Sequence, residues 1–237
     1  MEKNKVAFIS DLMLAAVALI WGLGFPVTQM AIDAQLSSGL IVALRFLIAA
    51  AVMGIIFRRE VRTITLRDAL LGCVAGLILG MAFLLQVMGQ SMTTPSNSAF
   101  LTSLNVIIVP FLSWGFFHQR PTRKMLLVAL GCLMGALVLT LSPGEGLQLG
   151  FGDLLVLCCA VAFSLHISYL GWVAGRIEVK KLTFLQMLTA GCLGGLYTLA
   201  FELPQIAEAD FAAGWMPILY MGLLSTAFAF FAQTYAQ

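Results

Sequence analysis

Residues 76–90 read GLILGMAFLLQVMGQ, and residues 223–237 read LLSTAFAFFAQTYAQ. Both stretches are apolar over several helical turns. Each ends in two glutamines four residues apart, a spacing that places both side chains on one face of a helix. The pairs are Gln86 with Gln90 and Gln233 with Gln237. A sequence that resembles itself at a fixed separation predicts a fold built from repeated units.

A second match defines the size of the repeat. The Asp-Leu pair at 11–12 recurs at 153–154, which is 142 residues later. Both pairs stand at the start of an apolar stretch, as expected for equivalent helices. We therefore predict that residues 1–146 form a first repeat of five transmembrane helices. Residues 147–237 then form an incomplete second repeat of three.

The composition is that of a membrane protein. Of the 237 residues, 61% are hydrophobic and only 10% are charged, and the mean hydropathy is +1.00. A soluble domain does not bury that much apolar surface. Because lipid offers backbone groups no hydrogen-bond partner, each apolar stretch is predicted to cross the membrane as a helix. The eight predicted spans are 12–31, 37–57, 69–90, 97–117, 124–142, 152–174, 182–202 and 215–237.

The charged residues alternate between the links that join these spans. Twelve of the thirteen lysines and arginines lie at the N-terminus or in every second link. They are Lys3, Lys5, Arg58, Arg59, Arg62, Arg67, Arg120, Arg123, Lys124, Arg176, Lys180 and Lys181. The other links carry acidic residues, namely Asp33, Glu145, Glu202, Glu208 and Asp210. Since basic loops stay in the cytoplasm, the pattern predicts a multi-pass protein of the cell inner membrane with a cytoplasmic N-terminus.

An odd number of helices in each repeat has a geometric consequence. The second repeat must begin on the opposite side of the membrane from the first, so the two repeats are inverted. The predicted fold class is all-α: a polytopic membrane helix bundle of inverted five-helix repeats, with eight of the ten expected transmembrane helices present. In folds of this kind the substrate site lies near the bilayer midplane, between the repeats.

Five stretches carry a family resemblance. They are WGLGFP at 21–26, Arg45 with Phe46, the run from Gln86 to Gln90, TTPSNSAFLTSLNVIIVPFLSW at 93–114, and Ser225-Thr226 with the glutamines that follow. In this order and spacing the chain resembles the EamA family of the drug/metabolite transporter superfamily over essentially its full length. The resemblance implies a ten-helix carrier, and many such carriers export amino acids or related metabolites. By the same resemblance, the chain lacks helices nine and ten.

Arg45 is a candidate for substrate binding. It lies about eight residues inside the second predicted span, where an arginine costs at least about 2.5–3.5 kcal/mol at the helix centre. The functional interpretation is attraction for an anionic group, such as a substrate carboxylate, in a wet cavity. The structural alternative is that the side chain extends to the membrane surface or binds helix-end carbonyls. This alternative is favoured by the repeat, because the equivalent residue in the second copy is the neutral Gln186.

Buried amides form a second group of candidates. Gln86 and Gln233 lie one turn deeper than the glutamines that follow them, and Asn105 lies about eight residues inside the fourth span. An amide both donates and accepts hydrogen bonds, which suits a zwitterionic or polar neutral substrate. The alternative interpretation is hydrogen bonding between helices.

Three larger side chains complete the predicted substrate site. His166 and Tyr169 lie about one turn apart in the sixth span, and His166 is a candidate for proton coupling or for substrate binding. Packing is the alternative for His166. Trp21 occupies the register of Phe163 in the second copy and is a candidate cavity wall. The neighbouring glycines and Pro26 predict a kink or local unwinding beside it.

The predicted function is that of a carrier which moves small polar metabolites, such as amino acids or related compounds, by alternating access, with export as its direction. No catalytic motif, cofactor signature, metal-ligand set or nucleic-acid-binding surface is recognisable, so an enzyme is not predicted. The expected partners are a small-molecule substrate and the lipid bilayer. The alternative is a truncated or degenerate membrane protein without independent transport activity. Transport would then require a homodimer or a partner protein that supplies the missing helices.

Overall fold

The structure, a computed structural model, describes residues 2–117, 121–140 and 150–236. Within these ranges every regular element is a helix. In chain order they are α1 (Glu2–Asp33), α2 (Ser38–Ile56), α3 (Arg58–Val61), α4 (Leu66–Gln90), α5 (Pro95–Ser103), α6 (Asn105–Phe117), α7 (Arg123–Thr140), α8 (Phe151–Val173), α9 (Val179–Tyr197), a π-helical turn (Thr198–Glu202), a 3₁₀ turn (Leu203–Ala207), α10 (Phe211–Leu219), a π-helical segment (Tyr220–Phe228) and α11 (Ala229–Ala236). Arg120, Glu145 and Gln237, which the sequence analysis used, lie outside the described residues.

Seven helical stretches of the described chain are long and apolar enough to cross a membrane, so the protein is a polytopic helix bundle as predicted. They are Met13–Asp33, Ser38–Ile56, Leu66–Gln90, Pro95–Phe116, Phe151–Val173, Val179–Ala207 and Phe211–Gln233. The fifth predicted span, 124–142, overlaps α7, and its last two residues lie outside the described chain.

Helix α1 does not unwind at Pro26, contrary to the expectation. It continues without interruption from Glu2 to Asp33. A proline ring opposes the carbonyl four residues earlier, which here belongs to Gly22.

The predicted span 97–117 is instead divided at Leu104, between α5 and α6. The chain tightens there into bonds between residues three apart. The Leu104 N–H donates to the Leu101 carbonyl over 3.2 Å, and the Ile107 N–H donates to the Leu104 carbonyl over 3.0 Å. This turn separates Thr102 from Asn105, both of which belong to the site described below.

The helices contact one another in a pattern that is preserved when the two predicted repeats are exchanged. α2 packs against α9, its repeat-equivalent. α4 packs against α8 and α9. The C-terminal helix, which we define as Phe211–Ala236, packs in the same way against α1 and α2. An inverted repeat predicts this exchange, because α1, α2 and α4 are the expected counterparts of α8, α9 and the C-terminal helix.

Glycines bring α4 and α9 into close contact. A Cβ added at Gly76 would lie 2.7 Å from the carbonyl oxygen of Gln186, and one added at Gly80 would lie 3.0 Å from the Cα of Ala190. Gly72 allows the side chain of Leu185 to approach in the same way. The four-residue glycine spacing therefore forms a packing seam, as small residues do between membrane helices. This seam fixes α9 and places Gln186 beside the centre of the bundle.

Candidate functional site

A cavity of about 160 Å³ lies between the helices of the bundle. α1, α2, α4, α5, α6, α8 and the C-terminal helix all contribute side chains to it. The lining residues are Trp21, Gly24, Phe25, Thr28, Arg45, Phe83, Gln86, Thr102, Asn105, Phe163, His166, Ile167, Ser225, Phe230 and Gln233. Six of the seven side chains proposed from the sequence are in this set: Trp21, Arg45, Gln86, Asn105, His166 and Gln233.

Tyr169, the seventh, does not line the cavity. Its hydroxyl donates to the carbonyl of Leu71 over 3.2 Å, and its ring lies 5.7 Å from that of Trp172. It packs against a separate apolar cluster that includes Leu170 and Leu182. Tyr169 is one helical turn beyond His166, and the bond to α4 turns it away from the cavity.

Arg45 is almost completely buried, with 3% of its surface exposed. Its Nε–H donates to Thr226 Oγ1 over 3.1 Å, and Nη2 donates to Ser225 Oγ over 3.4 Å. Nη1 lies 3.9 Å from the sulfur of Met221. The side chain therefore neither extends to the membrane surface nor binds helix-end carbonyls, which were the structural alternatives.

Aromatic rings surround the rest of the guanidinium. Its central carbon lies 4.3 Å from the centroid of the Phe83 ring and 5.4 Å from that of Phe46. Cation–π attraction and three polar contacts stabilise the charge without neutralising it. Both ion pairs of the described chain involve other residues. Of the five N–H groups of Arg45, one on each terminal nitrogen has no described acceptor and can donate to a ligand.

Trp21 forms part of the cavity wall and connects α1 to the C-terminal helix. Its indole Nε1–H donates to the carbonyl of Ser225 over 2.9 Å, and its ring lies 5.2 Å from that of Phe230. The same residue, Ser225, therefore receives hydrogen bonds from Trp21 through its carbonyl and from Arg45 through its hydroxyl. This arrangement couples the wall of the cavity to its buried cation.

The amides and the histidine have separate partners. Gln86 donates to the hydroxyl of Thr102 over 3.3 Å, which joins α4 to α5. His166 Nε2 lies 3.0 Å from Oε1 of Gln186, a fully buried residue of α9 that does not itself line the cavity. The backbone carbonyl of Asn105 lies 3.4 Å from the hydroxyl of Ser164, which donates over the shorter distance of 2.7 Å to the carbonyl of Ala160.

Repeat-equivalent residues contribute to the cavity in pairs. Trp21 and Phe163 both line it, as do Gln86 and Gln233, and Phe83 and Phe230. The pair of Arg45 and Gln186 differs, because one side chain reaches the cavity and its counterpart holds His166. The site is therefore symmetric in its aromatic and amide walls and asymmetric in its charge.

The hydroxyl partners of Arg45 were not among the predicted site residues. Ser225 and Thr226 lie in the π-helical segment Tyr220–Phe228. π-Helical turns inside α-helices are rare and are frequent at functional sites. The available signal was the adjacent pair of hydroxyl residues in an otherwise apolar stretch, LLSTAFAFF.

The described residues contain no group of three or more histidine, cysteine, aspartate or glutamate side chains that could hold a metal ion. The chemical groups of the cavity are one cation, several amides and hydroxyls, one imidazole and aromatic rings. They suit reversible binding of a small polar molecule.

Comparison with known proteins gives three findings. The sequence model of the EamA-like transporter family matches residues 8–141. A protein of Archaeoglobus fulgidus described as an uncharacterized transporter is 30% identical over 181 residues, which is 75% of this chain and 54% of that protein. The chain thus spans about half the length of the curated relative that it matches. A crystal structure with TM-score 0.70 and 18% identity covers 95% of this chain and 77% of its own, a likeness of fold alone.

Proposed function

The chain belongs to the EamA-like transporter family, and we propose that it is an inner-membrane carrier which exports small polar metabolites bearing a carboxylate, with amino acids and related compounds foremost. It works by alternating access, with its N-terminus in the cytoplasm. Membership of this family and a multi-pass helix bundle support the proposal, as does the description of the Archaeoglobus relative as a transporter. Substrate class, direction, mechanism and orientation are the proposal.

The observation that carries the proposal is the buried charge of Arg45. A cation at this depth with no anionic partner among the described residues is costly, and a bound carboxylate would offset that cost. The guanidinium keeps one unpaired N–H on each terminal nitrogen, and it lines the cavity. The aromatic walls suit the apolar part of such a substrate, since ligand sites combine apolar surface with a few placed polar groups.

Direct binding measurements test this function. Trp21 lines the cavity and the other three tryptophans do not, so its fluorescence reports ligands there. The probes are L-leucine, 4-methylpentanoate, which lacks the amine, and 3-methylbutylamine, which lacks the carboxylate. L-Phenylalanine with its two analogues forms a second set. We expect both carboxylate-containing members of a set to quench the signal and the amine to leave it unchanged. The Trp21→Phe variant, which should give no response, is the control for the origin of the signal.

The Arg45→Gln variant should weaken carboxylate binding by about tenfold to a hundredfold, because a charged hydrogen-bond donor is lost. Arg176→Gln is the matched control, since Arg176 is exposed and stacks on Trp172 outside the cavity. Counterflow of the bound amino acid in reconstituted vesicles should fall in Arg45→Gln and stay unchanged in Arg176→Gln. Unchanged affinity in Arg45→Gln, or equal binding of amine and carboxylate, would overturn the proposal.

A further inference from the structure

The buried contact between His166 and Gln186 assigns a role to a residue outside the cavity. Gln186 is fully buried in α9, and its Oε1 lies 3.0 Å from His166 Nε2. An amide oxygen only accepts hydrogen bonds, so the imidazole carries its proton on Nε2. In a neutral imidazole the other nitrogen, Nδ1, is then an acceptor. Nδ1 has no hydrogen-bond donor among the described residues, and His166 lines the cavity.

We infer that Gln186 is a positioning residue: by fixing the Nε2–H form of His166, it makes Nδ1 the acceptor for the amine or other donor group of the transported molecule. The inference rests on the proposed function, because it names how the same cavity receives the substrate's second polar group. Arg45 supplies donors for the carboxylate, and His166 supplies the acceptor. The cavity then has two poles of opposite hydrogen-bonding character.

The surroundings of Gln186 explain why it can hold the ring. Gly76 of α4 lies against the backbone of Gln186, with only 2.7 Å between the site of a glycine Cβ and the Gln186 carbonyl oxygen. The amide nitrogen of Gln186 has no hydrogen-bond partner in the described chain. The contact with His166 is therefore the one polar interaction of the Gln186 side chain in the described chain. A substitution of Gln186 releases the imidazole without breaking another side-chain bond.

Gln186 and His166 both have counterparts in the first repeat. Gln186 is the counterpart of Arg45, and His166 is the counterpart of Gly24, 142 residues earlier. Both Gly24 and His166 line the cavity. The first copy thus contributes a cation directly, whereas the second contributes a neutral acceptor through an amide. The asymmetry matches a molecule with two different polar ends.

Nitrogen-15 spectra of labelled histidine test the assignment without any ligand. The chain has two histidines, so His118→Gln leaves His166 as the one signal. We expect the Nε2–H form in this background. Gln186→Met, which removes the acceptor at similar volume, should give a mixture of both forms. Gln186→Glu, which retains an acceptor, should keep the Nε2–H form.

Binding of the probe sets supplies the functional readout. Gln186→Met should weaken amino acid binding about tenfold or more, to the level of the carboxylate that lacks the amine, whose own affinity stays unchanged. Thr183→Val is the matched control because Thr183 is also buried in α9 with an unpartnered polar atom. It should change neither the spectrum nor the affinities.

The possible failures are distinguishable. A His166 spectrum with the proton on Nδ1, or one that Gln186→Met does not change, overturns the role of Gln186 and leaves the dependence on Arg45 intact. Loss of both amino acid and carboxylate binding in Gln186→Met, with the tautomer unchanged, would show a structural role only. Failure of Arg45→Gln to affect binding instead overturns the proposed function.

Discussion

At the scale of single residues, Arg45 shows how this bundle keeps a charge in an apolar interior. Its contacts are two hydroxyls, a thioether and two aromatic faces. Such contacts are individually weak, and a carboxylate would neutralise the guanidinium permanently. No carboxylate of the described residues contacts Arg45, so its charge is available to a ligand, as the proposed function requires.

Removal of one of these hydroxyls should measurably destabilise the fold. Thr226 is fully buried and accepts the Nε–H of Arg45. Thr226→Val keeps the shape and leaves a buried charged donor without an acceptor, so the free energy of unfolding should fall by about 1–3 kcal/mol. Thermal unfolding in detergent measures the change. Thr189→Val is the control, since the hydroxyl of Thr189 contacts only the sulfur of Cys73, and a loss as large in the control would contradict the explanation.

At the scale of elements, the sequence predicts the helices better than their internal irregularities. Hydropathy locates the spans because lipid requires continuous helices of about 20 residues. The π-helical segment Tyr220–Phe228 leaves no such pattern. A π-turn rotates the residues that follow it by a fraction of a helical turn. Whether it forms depends on the partners that its side chains find across the bundle. Six cavity-lining side chains were predicted from polarity or from repeat register, whereas Ser225 and Thr226 were identified through their contacts with Arg45.

Tyr169 shows the opposite error, because the sequence predicted it for the cavity and the structure places it elsewhere. Its polarity and its position one turn from His166 favoured the cavity, but the Leu71 carbonyl of α4 accepts its hydroxyl proton instead. A sequence shows which face of a helix carries polar side chains. It does not show which of two neighbouring helices receives each of them.

The seam between α4 and α9 should tolerate no added methyl group at Gly76. The new Cβ would lie 2.7 Å from the Gln186 carbonyl oxygen and 2.9 Å from its Cα, both of them backbone atoms that cannot rotate away. We expect Gly76→Ala to lower the free energy of unfolding by about 1–3 kcal/mol, as overpacking does elsewhere. Gly195→Ala in α9 is the matched control, because no heavy atom lies within 4 Å of its Cβ position. Thermal unfolding of both variants decides the point, and equal stability would argue against a tight seam.

At the scale of the whole molecule, the α2–α9 pair is held at both ends by glutamates in equivalent places. Glu60, just beyond α2, accepts a hydrogen bond from Lys180 in the first turn of α9. Glu202, just beyond α9, accepts the backbone N–H of Gly39 in the first turn of α2 over 2.8 Å. The pKa of the Glu60 carboxyl lies below its usual value, mainly because Lys180 donates to it. That contact is therefore present above the ordinary glutamate pKa and is lost only as the pH falls through the lowered value.

The two glutamate contacts lie at opposite ends of α2 and so on opposite sides of the membrane. Cysteine accessibility tests which of them is cytoplasmic, as the proposed orientation requires of Glu60. In a background without the five native cysteines, Ser91→Cys and Glu208→Cys should react with a membrane-impermeant maleimide in intact spheroplasts. Thr63→Cys should react only after permeabilisation. All three positions are exposed and lie between membrane-spanning helices, so burial does not limit the reaction. The expectation follows from the basic residues on either side of Thr63, since such links stay in the cytoplasm. The opposite labelling pattern would place the N-terminus outside and reverse the direction in which Arg45 and His166 receive their ligand.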